Sequence, residues 1–262
     1  MPFEDERALA EELAEMAAGM SLAAFGGRHD VEHKADGTPV TRVDVAIEDV
    51  LRAVIAARFP GDAILGEERG ESGVTAAARR WTVDPIDGTK HFADGVPLWS
   101  TLVGLQVDDS PVLGLVDAPA VGDRWIGVVG EPATHGGSAV RVSDVARLAD
   151  AAVGHSGVEE WATGTDRDRL LRLVDAARRS RGLSDAWGQM QVAAGAVEAC
   201  VEHDPCGVWD WTPVVAIVAA AGGRVSTLDG TTVHAGCDLL VTNGLVHDEA
   251  VEVLAGRRST TG

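Results

Sequence analysis

The chain has 262 residues, with 22 Lys and Arg against 41 Asp and Glu and a formal net charge of −19. That length holds one large domain or two small, closely packed ones, and 45% hydrophobic residues with 24% charged ones are ordinary globular values that exclude disorder as the default. The acidic balance argues against a general binder of nucleic acid or membrane surfaces, which needs basic patches, yet it leaves an anionic substrate open if metal ions supply the positive charge.

Residues Glu4 to Phe25 are rich in Ala, Leu and Glu and predict a first helix, stopped by Gly26–Gly27. A polar loop, Arg28–Pro39, precedes a second helix from Thr41 to Phe59, whose apolar positions Val43, Ile47, Val50, Leu51 and Ile55 follow the 3.6-residue period. After the turn Pro60–Asp62 the pattern changes to short strands: Ala63–Leu65, Trp81–Val83, Leu98–Gln106, Val112–Val116 and Arg124–Val129. Gly130–Ser138 predicts a loop and a boundary between an N-terminal α+β part, 1–130, and a C-terminal α/β part, 131–262, of one compact unit. Helices follow at Asp166–Arg179 and Trp187–Gly195, a strand at Ala196–Val201, and a buried helix at Trp211–Ala221 closed by Gly222–Gly223. Strands Val225–Thr227 and Leu239–Thr242 and a terminal helix His247–Leu254 complete the chain. Hairpin-like strand runs dominate the middle, which predicts layered α+β rather than a doubly wound parallel sheet. No G-x-G-x-x-G or G-x-x-x-x-G-K-[ST] loop is present.

Three cysteines, Cys200, Cys206 and Cys237, without a C-x-x-C pair fit a reducing cytoplasm better than a disulfide framework or a zinc ribbon. Cys206 reads as a small packed residue. No apolar run reaches the ~18 residues of a membrane span, and Glu4, Asp5 and Glu6 stand where an export signal would be basic. Tyrosine is absent, so it cannot serve as a catalytic acid.

The chemistry concentrates at Trp81–Thr89, where an apolar run leads into Asp84-Pro85-Ile86-Asp87-Gly88-Thr89. A strand ending in Asp84 delivers its carboxylate at the sheet edge, and Pro85 lets Asp87 turn back to the same point. Two carboxylates so close repel unless a cation sits between them, and hard oxygen ligands suit Mg²⁺. Gly88 and Thr89 offer backbone N–H groups to a phosphate. Taken alone, the same residues also make a solvated turn. Gly66-Glu67-Glu68 again puts carboxylates at a strand end. Asp210, between Trp209 and Trp211, taken alone is the N-cap of its helix with Pro213 in the first turn, and Asp44 is the acidic half of a capping box with Thr41.

Together, G-E-E at Gly66–Glu68, D-P-I-D-G-T at Asp84–Thr89, and W-D at Trp209–Asp210 followed by A-G-G at Ala221–Gly223 resemble the inositol monophosphatase family in order and spacing. The resemblance covers roughly Thr38 to Leu254. It implies an α+β fold, a layered αβαβα sandwich, and Mg²⁺-dependent hydrolysis of a phosphomonoester with two or three ions. It also implies Glu67, Asp84, Asp87 and Asp210 as carboxylate ligands and Ile86 as a ligand through its carbonyl. Asp44 and Thr89, with Glu67, would orient and help deprotonate the attacking water, and the Gly88 and Thr89 amides would hold the phosphate. Lys34 would lie near the site. Family members are often dimers, so a homodimer is implied.

Within the family the chain is most similar to the histidinol-phosphatase branch of actinobacterial type, on Gly114–Pro119, His155–Trp161, Asp185 ahead of its helix, and Asn243–Glu249. That branch implies L-histidinol phosphate as substrate. The alternatives are inositol-1-phosphate or another small sugar or nucleoside phosphate. Seven residues before Asp210, where the family carries a substrate-contacting glutamate, stands His203, flanked by Glu202 and Asp204. Either a neighbouring acid such as Glu202 takes that role or the substrate differs. Asp185 stands where that branch carries an aspartate, and the resemblance implies that it would pair with a cationic substrate group, though a surface acid reads the same way. His203 equally fits a solvent-facing strand end. Trp161 and Trp187 fit either a pocket wall or packing.

Overall fold

Two N-terminal helices cover the outer face of the first of two large sheets. In this computed structural model residues 3–27, 32–33, 39–40, 42–74, 76–161, 164–183 and 185–256 are described. Lys34 and Thr41, and with them the capping box expected at Thr41, lie outside those residues. Helix α1 (Glu4–Ala24) opens with Glu4, Asp5 and Glu6, acids that favour the positive end of the helix dipole. A short antiparallel pair, β1 (Glu32–His33) and β2 (Pro39–Val40), precedes α2 (Arg42–Arg58).

The eight-stranded sheet takes β3 (Ala63–Gly66), β4 (Gly70–Gly73) and β5 (Arg79–Asp87). After α3 (Thr89–Asp94) come β6 (Ser100–Val107), β7 (Ser110–Ala118), β8 (Asp123–Val128), β9 (Thr134–His135) and β10 (Ser138–Ala139). Its order is β10-β9-β8-β7-β6-β5-β3-β4, with β3 and β5 the parallel pair. The second half holds β11 (Ala152–His155), α4 (Gly164–Ala176), β12 (Arg179–Gly182), α5 (Asp185–Ala193), β13 (Ala199–Cys206) and α6 (Val208–Ala220). It ends with β14 (Arg224–Ser226), β15 (Cys237–Thr242) and α7 (His247–Leu254). Its five strands run β12-β11-β13-β15-β14.

The layers follow from side-chain alternation along the strands. On β6, Val103 joins the core with α1 and α2, whereas its neighbour Leu102 packs with Met190 of α5 and Val214 and Ile217 of α6. On β13, Cys200 faces α5 and α6, whereas Ala199 and Val201 face Leu170 and Leu173 of α4 and Leu254 of α7. The stack is therefore α1–α2, sheet, α5–α6, sheet, α4–α7: the α+β sandwich expected. Among the described residues no helix is long and apolar enough to cross a membrane.

Several expected elements shift. Gly130–Ser138 is not all loop: β9 and β10, two residues each, extend the sheet edge. The helix expected to reach Arg179 ends at Ala176, and Arg179–Gly182 becomes the edge strand β12. A polar Arg-Ser-Arg-Gly edge strand carries no apolar alternation to announce it. The strand expected at Ala196–Val201 runs from Ala199 to Cys206.

One buried histidine sets a pH limit on the C-terminal half. The fully buried His247 lies between the Ser226 hydroxyl (3.2 Å) and the Thr242 hydroxyl (2.9 Å). Burial, and then the charge of Arg224, push its pKa down to about 4. The stability this brings is present above the unfolded histidine pKa near 6.5 and is lost as pH falls toward 4. Denaturant titration at pH 7.5 and 5.0 checks this. His247→Gln, which keeps a hydrogen-bonding group but does not titrate, should lose about 2 kcal/mol less than the parent between those pH values. Equal losses would remove His247 as the cause.

Candidate active site

The parallel pairing of β3 with β5 brings the first two acids together. Gly66 is in register with Val83, and the Glu67 N–H donates to the Val83 carbonyl (3.2 Å), so Glu67 and Asp84 leave the sheet side by side. The turn after Asp84 is closed by its own side chains. The Ile86 N–H donates to Asp84 Oδ1 (2.9 Å), and the Thr89 hydroxyl donates to the Ile86 carbonyl (3.0 Å). From β6, the Thr101 hydroxyl donates to the Pro85 carbonyl (2.8 Å). The β5–β6 register shifts between Asp84 and Asp87, a bulge that re-aims the strand end. Gly88 follows at φ 80°, a left-handed conformation that glycine adopts without strain, and α3 starts at Thr89.

Asp210 arrives from the other half of the molecule. It is not the N-cap of α6, as expected, but its third residue. Its carboxylate reaches back to accept the Gly207 N–H (2.6 Å), so the helix begins at Val208, three residues earlier than predicted. Pro213 consequently sits inside the helix rather than in its first turn.

These strand ends and helix starts converge. Asp84, Asp87 and Asp210 each offer an oxygen, and those atoms lie within 4.8 Å of one another. Burial, then the Glu67, Asp87 and Asp210 carboxylates, raise the Asp84 pKa well above the usual carboxylate range. Burial, then Asp185 and Asp210, do the same for Asp87. A cluster of hard oxygens, buried at Asp84 and half-buried at Asp87 and Asp210, is the donor set a divalent cation would stabilise.

A second acidic group faces the same space. Asp185 opens α5 at φ 59°, a left-handed conformation that Asp tolerates better than most residues. Its N–H donates to Glu202 Oε2 (3.1 Å), and the next N–H, of Ala186, donates to Asp87 Oδ2 (2.8 Å). Burial, then Asp185 and Glu160, raise the Glu202 pKa well above its usual range. The His91 ring lies 3.0 Å from Asp185, a contact that lifts the His91 pKa, and Lys90 pairs with Glu160 at 3.0 Å. Both acidic groups line one cavity of about 520 Å³, together with Ile86, Gly88, Thr89 and Trp209.

Of the residues expected at the site, Glu67, Asp84, Ile86, Asp87, Gly88, Thr89, Asp185, Glu202 and Asp210 line this cavity. Asp44 is fully buried on α2 and is not among the lining residues. His203 points elsewhere: its ring stacks on Trp161 (centroids 4.6 Å apart) and lies 3.5 Å from Asp166. Trp161 is core, and the Trp187 N–H donates to Asp123 (3.0 Å) away from the cavity. Cys206 is buried, as expected of a packed residue, and touches the cavity wall. Lys90, His91, Glu159 and Glu160 were not foreseen. Lys90 and His91 follow Thr89 within one helical turn, and Glu159 and Glu160 lie in the stretch His155–Trp161 that carries part of the resemblance.

The sequence profile of the inositol monophosphatase family matches residues 4–260. The chain belongs to this family. It is a phosphoric monoester hydrolase, which agrees with a cavity built on acids around Asp84. It is 39% identical to a histidinol-phosphatase of Mycobacterium tuberculosis over 94% of this chain and 96% of that protein. It is 36% identical to a histidinol-phosphatase of Streptomyces coelicolor over 97% and 98% of the two chains. An IMPase structure from Thermotoga maritima superposes with a TM-score of 0.86 at 28% identity, covering 96% of this chain and 97% of that one.

Proposed function

We propose that this protein is a Mg²⁺-dependent phosphatase that converts L-histidinol phosphate to L-histidinol and phosphate in histidine biosynthesis. The observation that carries the reading is the pairing of two acidic groups on one cavity. Asp84, Asp87 and Asp210 suit a metal-bound phosphate, and Asp185 and Glu202, next to Asp87 on the same cavity wall, suit a cationic group. Histidinol phosphate carries its ammonium on the carbon next to the phosphate-bearing CH2 and its imidazole at the far end. The histidinol-phosphatase relatives support the same substrate.

The residues present fit magnesium, because the donors are all hard oxygens and because burial and neighbouring carboxylates oppose the charge on Asp84 and Asp87, a cost that a divalent cation would relieve. Glu67, Asp84, Asp87 and Asp210, with the Ile86 carbonyl, would hold the two or three ions. Magnesium there supplies Lewis acidity, which makes water acidic enough to attack near neutral pH and offsets charge on the phosphoryl oxygens. Gly88 and Thr89 donate backbone N–H groups to the phosphate. Thr89 and Glu67, which line the cavity, and Asp44, which lies buried outside its lining, would orient the attacking water and help take its proton. The water oxygen bonds to phosphorus, the ester P–O bond breaks on the opposite side, and the leaving alkoxide takes a proton from solvent water, while the proton lost by the attacking water returns to solvent. Asp185, held by the backbone of α5, orients the cationic group. The protein would work in the cytoplasm as a homodimer, its two parts, 1–130 and 131–262, closing on the cavity. Three free, buried cysteines fit a reducing compartment.

The second reading is the same chemistry on inositol-1-phosphate or another small sugar or nucleoside phosphate. The likeness to the Thermotoga IMPase favours it. Steady-state kinetics on the two substrates separates them. With Mg²⁺, kcat/KM for histidinol phosphate should exceed that for inositol-1-phosphate at least about tenfold, ~1.4 kcal/mol of transition-state binding. A smaller ratio would leave the phosphatase chemistry standing and remove the substrate assignment.

A further inference from the structure

The buried face of α2 carries an acid that the proposed mechanism does not use. Glu48 is fully buried, on the same helical stripe as Ile47, Leu51 and Ile55. An acid on that stripe is costly unless it is hydrogen-bonded and paired. Every contact it makes leads to the loop that holds Glu67. Glu48 Oε2 accepts the Glu68 N–H (2.7 Å), and Oε1 accepts the Arg69 N–H (3.0 Å). Arg52, one turn along α2, donates to Glu48 Oε1 (2.8 Å) and through the same nitrogen to the Gly70 carbonyl (3.0 Å). Its other terminal nitrogen donates to the Ser72 hydroxyl (2.5 Å). A side chain at position 66 is impossible without moving this carboxylate, because a Cβ on Gly66 would overlap Glu48.

Glu67 is thus bracketed. On its N-terminal side Gly66 is packed against Glu48, and on its C-terminal side the next two amides are tied to the same carboxylate. Its own N–H is fixed to Val83 of the strand that carries Asp84. We infer that Glu48, braced by Arg52, is a positioning residue that fixes the Glu67 carboxylate beside Asp84 for metal binding. The inference rests on the proposed role of Glu67 as a metal ligand. The physical reason is preorganisation: a ligand on a loop that needs no ordering on binding loses less affinity to entropy. Two N–H groups converging on one carboxylate hold a loop more rigidly than one amide oxygen can, and Arg52 supplies the charge that makes the buried acid tolerable.

Glu48→Gln tests this, because it is isosteric but turns an N–H donor toward one of the two amides. Isothermal titration of the metal-free protein with Mg²⁺, without substrate, reads the effect directly. Wild type should bind, Glu67→Gln should bind more weakly, and Glu48→Gln should bind at least about tenfold more weakly than wild type. Glu48→Gln should add less than about twofold on a Glu67→Gln background, because its effect passes through Glu67. Arg52→Lys keeps the charge and loses the two-nitrogen fork, and should weaken binding in the same direction. It carries the test if Glu48→Gln does not fold. Ile55→Val, on the same buried stripe, should lower the melting temperature without changing Mg²⁺ affinity. The positioning role is overturned if Glu48→Gln or Arg52→Lys binds Mg²⁺ within twofold of wild type while Glu67→Gln does not. It is also overturned if the effects of Glu48→Gln and Glu67→Gln simply add, or if Ile55→Val weakens binding as much. If Glu67→Gln binds like wild type, the ligand role of Glu67 falls, and the positioning role with it.

Discussion

Asp84→Asn should cost at least about a thousandfold in Mg²⁺-dependent phosphate release and, at the same time, raise the melting temperature of the metal-free protein at pH 8. Both follow from one fact. Asp84 is 2% exposed and shares its surroundings with Glu67, Asp87 and Asp210. Burial and those charges raise its folded pKa, so without metal the stability tied to its protonated form is fully present below the unfolded value near 3.9. That stability is lost as pH rises through the folded pKa. An amide at this position removes the lost term at high pH and removes a ligand too. Magnesium should reverse the ranking, stabilising wild type at pH 8 more than the variant, because a ligand that binds only the folded state adds stability in proportion to its affinity. A phosphate-release assay and calorimetry with and without Mg²⁺ check both halves. An active variant would remove Asp84 from the metal site. A variant less stable than wild type without metal would show that the four acids do not strain the fold.

The same trade between function and stability explains which parts of the site the sequence made legible. Asp84–Thr89 was readable because its geometry is local. The Asp84-to-Ile86 N–H and Thr89-to-Ile86 carbonyl bonds join residues two and three apart, so spacing alone predicts the turn. Asp210 was readable as an acid at a helix start, although the wrong one of two local roles was assigned. A carboxylate at the third helical position and one at the cap give nearly the same sequence pattern. The spacing from Asp210 points to His203. It gives the position but not the face. His203 and Glu202 are neighbours on β13, so their side chains point to opposite sides, and Glu202 is the one that lines the cavity. Glu48 was hidden in plain view. It lies four residues after Asp44, on a stripe otherwise filled by Ile47, Leu51 and Ile55, and two acids on a core-facing stripe are the departure from pattern that marks a functional face. The edge strands β4 and β12 were unreadable because polar edges do not alternate.

Asp185→Asn is the sharper test of substrate choice. Asparagine tolerates the left-handed backbone at φ 59° as well as aspartate does, so α5 should start where it does now, and the N–H bonds to Glu202 and Asp87 should persist. What changes is the charge facing the cavity. A charged hydrogen bond to a substrate cation is worth about 1.5–3 kcal/mol, so kcat/KM for histidinol phosphate should fall about 10- to 150-fold. Inositol-1-phosphate has no cation to lose and should stay within about threefold of wild type. Any effect of the variant on the metal site, through the proximity of Asp185 to Asp87, falls on both substrates and cancels in the ratio. The His91 ring lies 3.0 Å from Asp185 Oδ2, so a substrate cation at Asp185 would sit beside His91 and Glu202. Parallel losses on both substrates would assign Asp185 to the architecture of α5. A selective loss on histidinol phosphate would make the paired acids at the start of α5 and on β13 the part of this cavity that distinguishes a cationic phosphomonoester from a neutral one.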